Sequence, residues 1–242
     1  MSVRDGFIFN GKHSYKDFNV WLQEKKIQPP AKVKIKETIP FMNGTYDFSS
    51  VGSNGEPVYG ERQIQVKLGL RTRNKKELYT VYQLILEWLE DTGRQELLFD
   101  NIPGFYFTAE VESAPSFEEA LMLGNLTITF TAQPFKVSTS YMGDDIWDTF
   151  NFLTDYTQYT NIFEINEDGP GTTVIMYNNG RNITPVINVS VDNMRLSFEG
   201  KIYYLTKGDN KLWGMKLKNG ENVLHFYNAL GTVKILFRWE VL

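Results

Sequence analysis

The residues most able to do chemistry in this 242-residue chain are few: two histidines, His13 and His225, and no cysteine. Neither histidine has another histidine or a cysteine nearby, so the donor spacing of a zinc or iron site does not occur. A hydrolytic triad needs a serine, a histidine and an acid within reach. Gly-x-Ser-x-Gly is absent, and His225 sits in an alternating run that reads as a packed or exposed strand residue. Neither glycine-rich phosphate loop occurs, and Asp168-Gly169-Pro170-Gly171 leads into a strand where a phosphate loop would need a helix. Asp144, Asp145 and Asp148 with Trp147 and Phe150 suggest a calcium or sugar locus, yet the spacing is not that of an EF-hand. A surface turn accounts for them better. Glu118-Glu119 and Asp144-Asp145 read as surface pairs, although a carboxylate pair for glycoside cleavage is a distance in space that spacing leaves open. The expectation is a chain with no catalytic residue, no cofactor and no metal.

Composition narrows the class further. Twenty-five basic residues against 29 acidic ones leave a formal charge of -4, which does not suit a surface built to hold nucleic-acid phosphate. Sequence-specific nucleic-acid binding is not expected. Hydrophobic content of 42%, with 14% aromatic and 22% charged residues, describes a folded globular chain and excludes disorder. The absence of cysteine excludes a disulfide scaffold and is neutral about redox compartment. The longest near-apolar runs, Val81 to Leu86 and Val233 to Phe237, fall short of the roughly 18–20 residues of a membrane helix. Membrane insertion is not expected. Met1-Ser2-Val3-Arg4-Asp5-Gly6 lacks the basic start and apolar run of a secretory signal.

The elements that would position these residues are mainly β. Val3 to Phe9 reads as a strand entering a turn at Asn10-Gly11, and Tyr15 to Leu22 as a helical turn or an irregular strand. After Pro29-Pro30, Lys32 to Lys36 alternates with period two and predicts a half-buried strand with its lysines outward. Residues 39–59 form a long turn-rich loop interrupted by Phe41, Tyr46 and Phe48, and a loop of that length in a compact domain usually serves a purpose. Alternation returns from Arg62 to Leu70. One helix is predicted from about Lys75 to Asp91, since Leu78, Val81, Tyr82, Ile85 and Leu89 repeat at helical spacing. Asn74 and Glu77 mark its start as a capping box, and Gly93 its stop. Strands follow at Leu97 to Phe99, Phe105 to Val111 and Leu121 to Ala132, the last ended by Pro134.

Gln133-Pro134 is the predicted boundary between a domain of residues 1–133 and one of residues 134–242. The second reads as short strands at 173–177, 187–191, 201–205, 212–217, 223–226 and 233–239. Turn signals fall between them roughly every 8–12 residues, which predicts an antiparallel sandwich.

Two segments carry a resemblance: Phe7-Ile8-Phe9-Asn10-Gly11-Lys12-His13-Ser14, and Ile39-Pro40-Phe41-Met42-Asn43-Gly44-Thr45-Tyr46-Asp47-Phe48-Ser49. Together they resemble the distal tail protein family of siphophages. Agreement continues through Arg62, the capped helix, Asp100 with Pro103-Gly104-Phe105-Tyr106, and Leu126 to Phe130 running into Gln133-Pro134-Phe135. Asn179-Gly180 with Pro185, and Gly220-Glu221-Asn222, resemble the family's second half.

The resemblance implies a virion structural protein, with no enzymatic activity, at the tip of a long non-contractile tail. Its N-terminal domain would be a barrel-like or sandwich-like antiparallel unit with one helix, closing a hexameric ring that continues the tail tube and lets DNA pass. Its C-terminal domain would be a galectin-like or jelly-roll sandwich outside the ring. Implied partners are further copies of itself, the tail tube protein, the tape-measure protein and the receptor-binding baseplate proteins. Assembly would take place in the host cytoplasm, a prophage being one source of the gene. Ring closure uses heterologous contacts that cover exposed edges, which directs attention to Phe41, Tyr46, Phe48 and Tyr59. The alternative for these rings is that they pin their own loop. A rival class, a carbohydrate-binding module, would stack sugars on Trp147, Tyr156, Tyr159 or Trp213. A glycosidase is the third and weakest class.

Overall fold

The computed structural model describes residues 5–53, 55–90, 92–120, 123–144, 156–166 and 171–242, which pack as two compact units, 1–136 with Leu242, and 137–241. The first unit contains β1 (Phe7–Phe9), β2 (Lys12–His13), α1 (Ser14–Phe18), β3 (Trp21–Ile27), β4 (Lys36–Glu37), β5 (Tyr46–Asp47) and β6 (Arg62–Arg71). It continues with α2 (Lys75–Leu89), β7 (Gln95–Phe99), β8 (Phe105–Ala120) and β9 (Leu123–Ser138). Its main sheet runs β2-β1-β7-β8-β9-β6-β3, while β4 and β5 pair with each other apart from it. Period-two alternation decides which face is core. Ile64, Val66, Leu68 and Leu70 of β6 lie inward with Leu126, Ile128, Phe130 and Ala132 of β9, in register from Arg62 opposite Ala132 to Arg71 opposite Leu123.

Helix α2 covers that face with Leu78, Ile85, Trp88 and Leu89. Trp88 stacks on Phe7 at 5.5 Å and donates from Nε1 to the Phe9 carbonyl at 2.7 Å, so its polar atom is satisfied inside the core. The sheet curls: the Leu22 amide donates to Asp5 O at 3.0 Å, and Lys25 Nζ lies 4.5 Å from the Phe99 ring centroid. It does not close into a barrel, since among the described residues no ladder joins β3 to β2.

The second unit contains β10 (Ile162–Ile165), β11 (Thr172–Asn178), β12 (Val186–Val189), β13 (Met194–Phe198), β14 (Lys201–Leu205) and β15 (Gly208–Lys211). After these come β16 (Gly220–Tyr227), β17 (Gly231–Leu236) and β18 (Glu240–Val241). Two antiparallel sheets, β10-β17-β12-β15 and β11-β16-β13-β14, enclose one core. Ile187, Val189, Val233 and Ile235 come from one sheet, and Val174, Met176, Leu196, Leu224 and Phe226 from the other. The predicted sandwich is present, and the chain is mainly β with one long helix.

Several boundaries differ from expectation, each for a local reason. The half-buried strand expected at 32–36 is absent: every residue from 31 to 48 is exposed, and of 32–36 only Lys36 lies in a strand, β4. The loop expected at 39–59 contains β5 and a 3-10 turn at Val51–Ser53. Tyr15 to Leu22 holds both the helical turn and the start of a strand. Pro134 does not end β9, which runs on to Ser138; β6 stops opposite Ala132, so no bond from that neighbour is required at the proline. Gly93 is left-handed but does not cap α2, which ends at Leu89 with Glu90 already extended. The strand expected at 212–217 is mostly turn around left-handed Gly214, whereas the turn signal Gly208-Asp209-Asn210 lies within strand β15, which pairs with β12. Strands β10 and β13 carried no separate sequence prediction.

The turns into β15 and β16 share one device. Asn210 accepts from the Thr206 amide at 3.0 Å and donates to the carbonyls of Thr206 and Gly208 at 2.7 and 2.9 Å. Asn222 repeats this four residues after Lys218, accepting at 2.8 Å and donating to Lys218 and Gly220 at 2.8 and 3.0 Å. In each turn the glycine between has positive φ, +97° at Gly208 and +89° at Gly220, a region in which other residues are strained.

Candidate assembly surface

The two histidines are the side chains best able to do chemistry. His13 is buried between β2 and α1. Its Nδ1 accepts from the backbone amides of Tyr15 and Lys16 at 3.0 and 3.2 Å, capping the helix. That places the ring proton on Nε2, which lies 3.2 Å from both Asp100 oxygens. Asp100 also accepts from the Gly6 amide at 2.7 Å, and Ser14 Oγ accepts from the Phe7 amide at 3.1 Å. A serine, a histidine and an acid do meet here, but both ring nitrogens are engaged by structure and Ser14 is fully buried. The set ties β1, α1 and the end of β7 together. His225 faces outward on β16, with Nδ1 3.2 Å from Thr173 Oγ1 of the neighbouring strand.

Residues 31–60 form an arm. Its root is held by the Gly60 amide donating to Ala31 O and the Val33 amide donating to Val58 O. Beyond the root, the Phe48 amide donates to Ile35 O, and Lys36 and Glu37 of β4 pair with Asp47 and Tyr46 of β5. Lys32 bridges Tyr59. This register sorts the side chains. Val33, Ile35, Glu37, Tyr46, Phe48 and Val58 share one face, and Lys32, Lys34, Lys36, Asp47 and Tyr59 share the other. Tyr46 and Phe48 confirm the assignment, since their rings lie 4.6 Å apart. On the other face Asp47 is held well below the ordinary carboxylate range, first by the Ser49 hydroxyl and amide and then by Lys34.

No residue of the arm belongs to the core cluster of its unit, and Val33, Ile35, Phe41, Tyr46 and Phe48 are all exposed. Phe41, at the tip, is fully exposed with left-handed φ of +68°. Of the four interface candidates, Phe41, Tyr46 and Phe48 stand in solvent. Tyr59 instead packs edge-on against Phe135 at 5.5 Å at the arm's root.

The sugar-stacking candidates are dispersed. Tyr159 precedes β10 and Trp213 follows β15, the two outer strands of one sheet. Both rings are open to solvent, at 85% and 83%, with Lys211 Nζ 5.3 Å from the Trp213 centroid. Tyr156 stacks on Tyr177 of the other sheet at 5.2 Å and exchanges hydrogen bonds with Asn179. Trp147, with Asp145, Asp148 and Phe150, lies outside the described residues. Asp144 accepts from Asn161 at 3.0 Å.

Both units are antiparallel β, and most of the exposed apolar side chains described in the first lie on the arm. The chain belongs to the siphophage tail family described as phage tail protein RIFT-related domain, whose family model matches residues 12–132. The resemblance drawn from Phe7–Ser14 and Ile39–Ser49 therefore holds. No curated protein sequence matches the chain. Among solved structures it is similar to SPP1 Dit (gp 19.1), described as a paradigm of hub adsorption apparatus in Gram-positive infecting phages. That similarity has TM-score 0.67 at 12% identity, over 99% of this chain and 100% of that one. Two structures of the phage p2 baseplate in its activated conformation, with Sr and with Ca, match at TM-scores 0.37 and 0.39. Their identities are 12% and 11%, over 96% of this chain and 98% of theirs.

Proposed function

We propose that this chain is the hub of a siphophage tail tip. The unit of residues 1–136 closes a ring, six copies by family analogy, that continues the tail tube and leaves a lumen for DNA. The unit of residues 137–241 stands as a peripheral sandwich toward the adsorption apparatus. The observation that carries this reading is the arm: an amphipathic hairpin whose apolar side chains are exposed and stand outside the core cluster of its unit. Exposed apolar surface of that kind marks an interaction site. Phe41, Tyr46 and Phe48 are its contact residues, with Tyr59 bracing the root. Tail tube, tape-measure and receptor-binding proteins are the remaining partners, and the place of work is the virion. A formal charge of -4 suits a conduit that must not retain DNA.

Light scattering and negative-stain electron microscopy of the full chain test this. Closed rings are expected. A chain that stays single at high concentration and low salt overturns the reading. The open rings of Tyr159 and Trp213 favour a second activity, glycan binding by the peripheral unit, which calorimetric titration of cell-wall saccharides would reveal.

A further inference from the structure

Asn-Gly is the dipeptide most prone to lose its side-chain amide without an enzyme, because glycine lacks the Cβ that would shield the backbone nitrogen after the asparagine. The pair occurs five times, at Asn10, Asn43, Asn54, Asn179 and Asn219. The fold sets them apart. Asn179 accepts from the Tyr156 amide at 2.7 Å and donates to the Tyr156 carbonyl at 3.0 Å, and the amide of buried Gly180 donates to Asn178 Oδ1 at 3.0 Å. Asn219 donates to Gly180 O at 3.0 Å, and Gly220 stands opposite Asn178 in the ladder of β11 and β16. Asn10 and Gly11 are exposed, but they form the two-residue turn between paired Phe9 and Lys12, with φ of +45° and +70°. Ring closure there would have to break the turn. Asn54 lies outside the described residues.

Asn43 is held by none of these devices. It stands at the exposed tip of the arm, and among the described residues no hydrogen bond engages its side chain or the Gly44 amide. A Cβ built on Gly44 meets nothing within 4 Å, so no neighbour shields the reacting atoms. Side chain and amide are free to reach the geometry of attack.

We propose that Asn43 is a site of spontaneous deamidation that limits how long the free chain stays competent to assemble. The Gly44 amide gives its proton to hydroxide and its nitrogen attacks Asn43 Cγ. A C–N bond forms, the side-chain nitrogen takes a proton from water and leaves as ammonia, and a succinimide ring closes. Water then adds to either ring carbonyl and opens it to aspartate or isoaspartate. The net change consumes water, releases ammonia and replaces an amide with a carboxylate. The new charge lies in sequence between Phe41 and Tyr46, contact residues in the hub reading, and the consequence for assembly rests on that reading. Burying an unpaired carboxylate at such a contact opposes association. Isoaspartate also routes the backbone through the side chain and so lengthens the tip.

The full chain, aged at mildly alkaline pH, is mapped by peptide mass spectrometry and compared with fresh protein for assembly by light scattering. Isoaspartate is expected at Asn43 ahead of Asn10, Asn179 and Asn219, sooner at higher pH and much later in Gly44→Ala. Assembly by the aged chain is expected to fall in proportion to the Asn43 product, while aged Asn43→Gln keeps what its fresh form shows. Asn43 still intact when Asn10, Asn179 or Asn219 has reacted overturns the site. Full conversion at Asn43 with assembly undiminished overturns the consequence and leaves the hub standing. A chain that forms no ring even when fresh overturns the hub, and the consequence with it, while the peptide map still decides the site.

Discussion

His13 shows how far a single side chain can be committed to structure. It caps α1, faces Asp100 and receives the Asp17 carboxylate at its own amide, 2.6 Å away. His13→Ala is expected to cost about 1–3 kcal/mol, the loss of a cap together with a buried pair, measured by denaturant unfolding. An unchanged midpoint would mean that water replaces the ring. Gly6→Ala should act on the same cluster, since a Cβ there would stand 2.5 Å from His13 Cε1. Glu240 makes the complementary case. Burial pushes its carboxyl above the ordinary range, against the opposing pull of Arg181. The folded chain therefore holds this proton more tightly than the unfolded chain does. The stability it lends is complete below pH ~4.3, the unfolded glutamate value, and is lost as pH rises through the raised folded value. Glu240→Gln should raise the melting temperature at pH 7 and leave it unchanged at pH 4; a uniform shift would refute the assignment.

Among the elements, the turns into β15 and β16 each rest on one asparagine that closes a loop and supplies bonds the strand edge lacks. Asn222 is 4% exposed and also donates to Met176 O at 3.4 Å, so Asn222→Ala should cost about 1–3 kcal/mol by stranding buried backbone groups. Asn210, in the more open copy of the motif, should cost less, and comparing the two unfolding curves tests the order. The arm behaves oppositely. Phe41→Ser with Tyr46→Ser and Phe48→Ser should leave circular dichroism and melting within ordinary error while abolishing assembly; a fall in monomer stability would mean that the rings serve their own loop. Legibility differed in the same way. Lys32 to Lys36 alternates as a half-buried strand does, and β pairing is indeed its fate in part, but alternation reports only that one face is apolar. Here the apolar face, Val33 and Ile35, stays exposed in the folded chain.

For the molecule as a whole, two separate cores, one behind α2 and one between the sheets of the second unit, predict that residues 137–242 melt cooperatively when expressed alone. Loss of near-UV signal in that fragment would show that it depends on the rest. Period-two alternation in β6 and β9, the 3.6-residue repeat of α2 and its Asn74 cap were all legible in the chain, because local stereochemistry dictates them. So were the mainly β class and the family, through short motifs rich in glycine, asparagine and aromatic residues. Strand order, the meeting of His13 with Asp100 and the stacking of Phe117 on Tyr82 were not. Each joins positions distant in sequence, and hydrophobic pattern says that a face must be covered without saying by what; only the register of the folded sheets settles that.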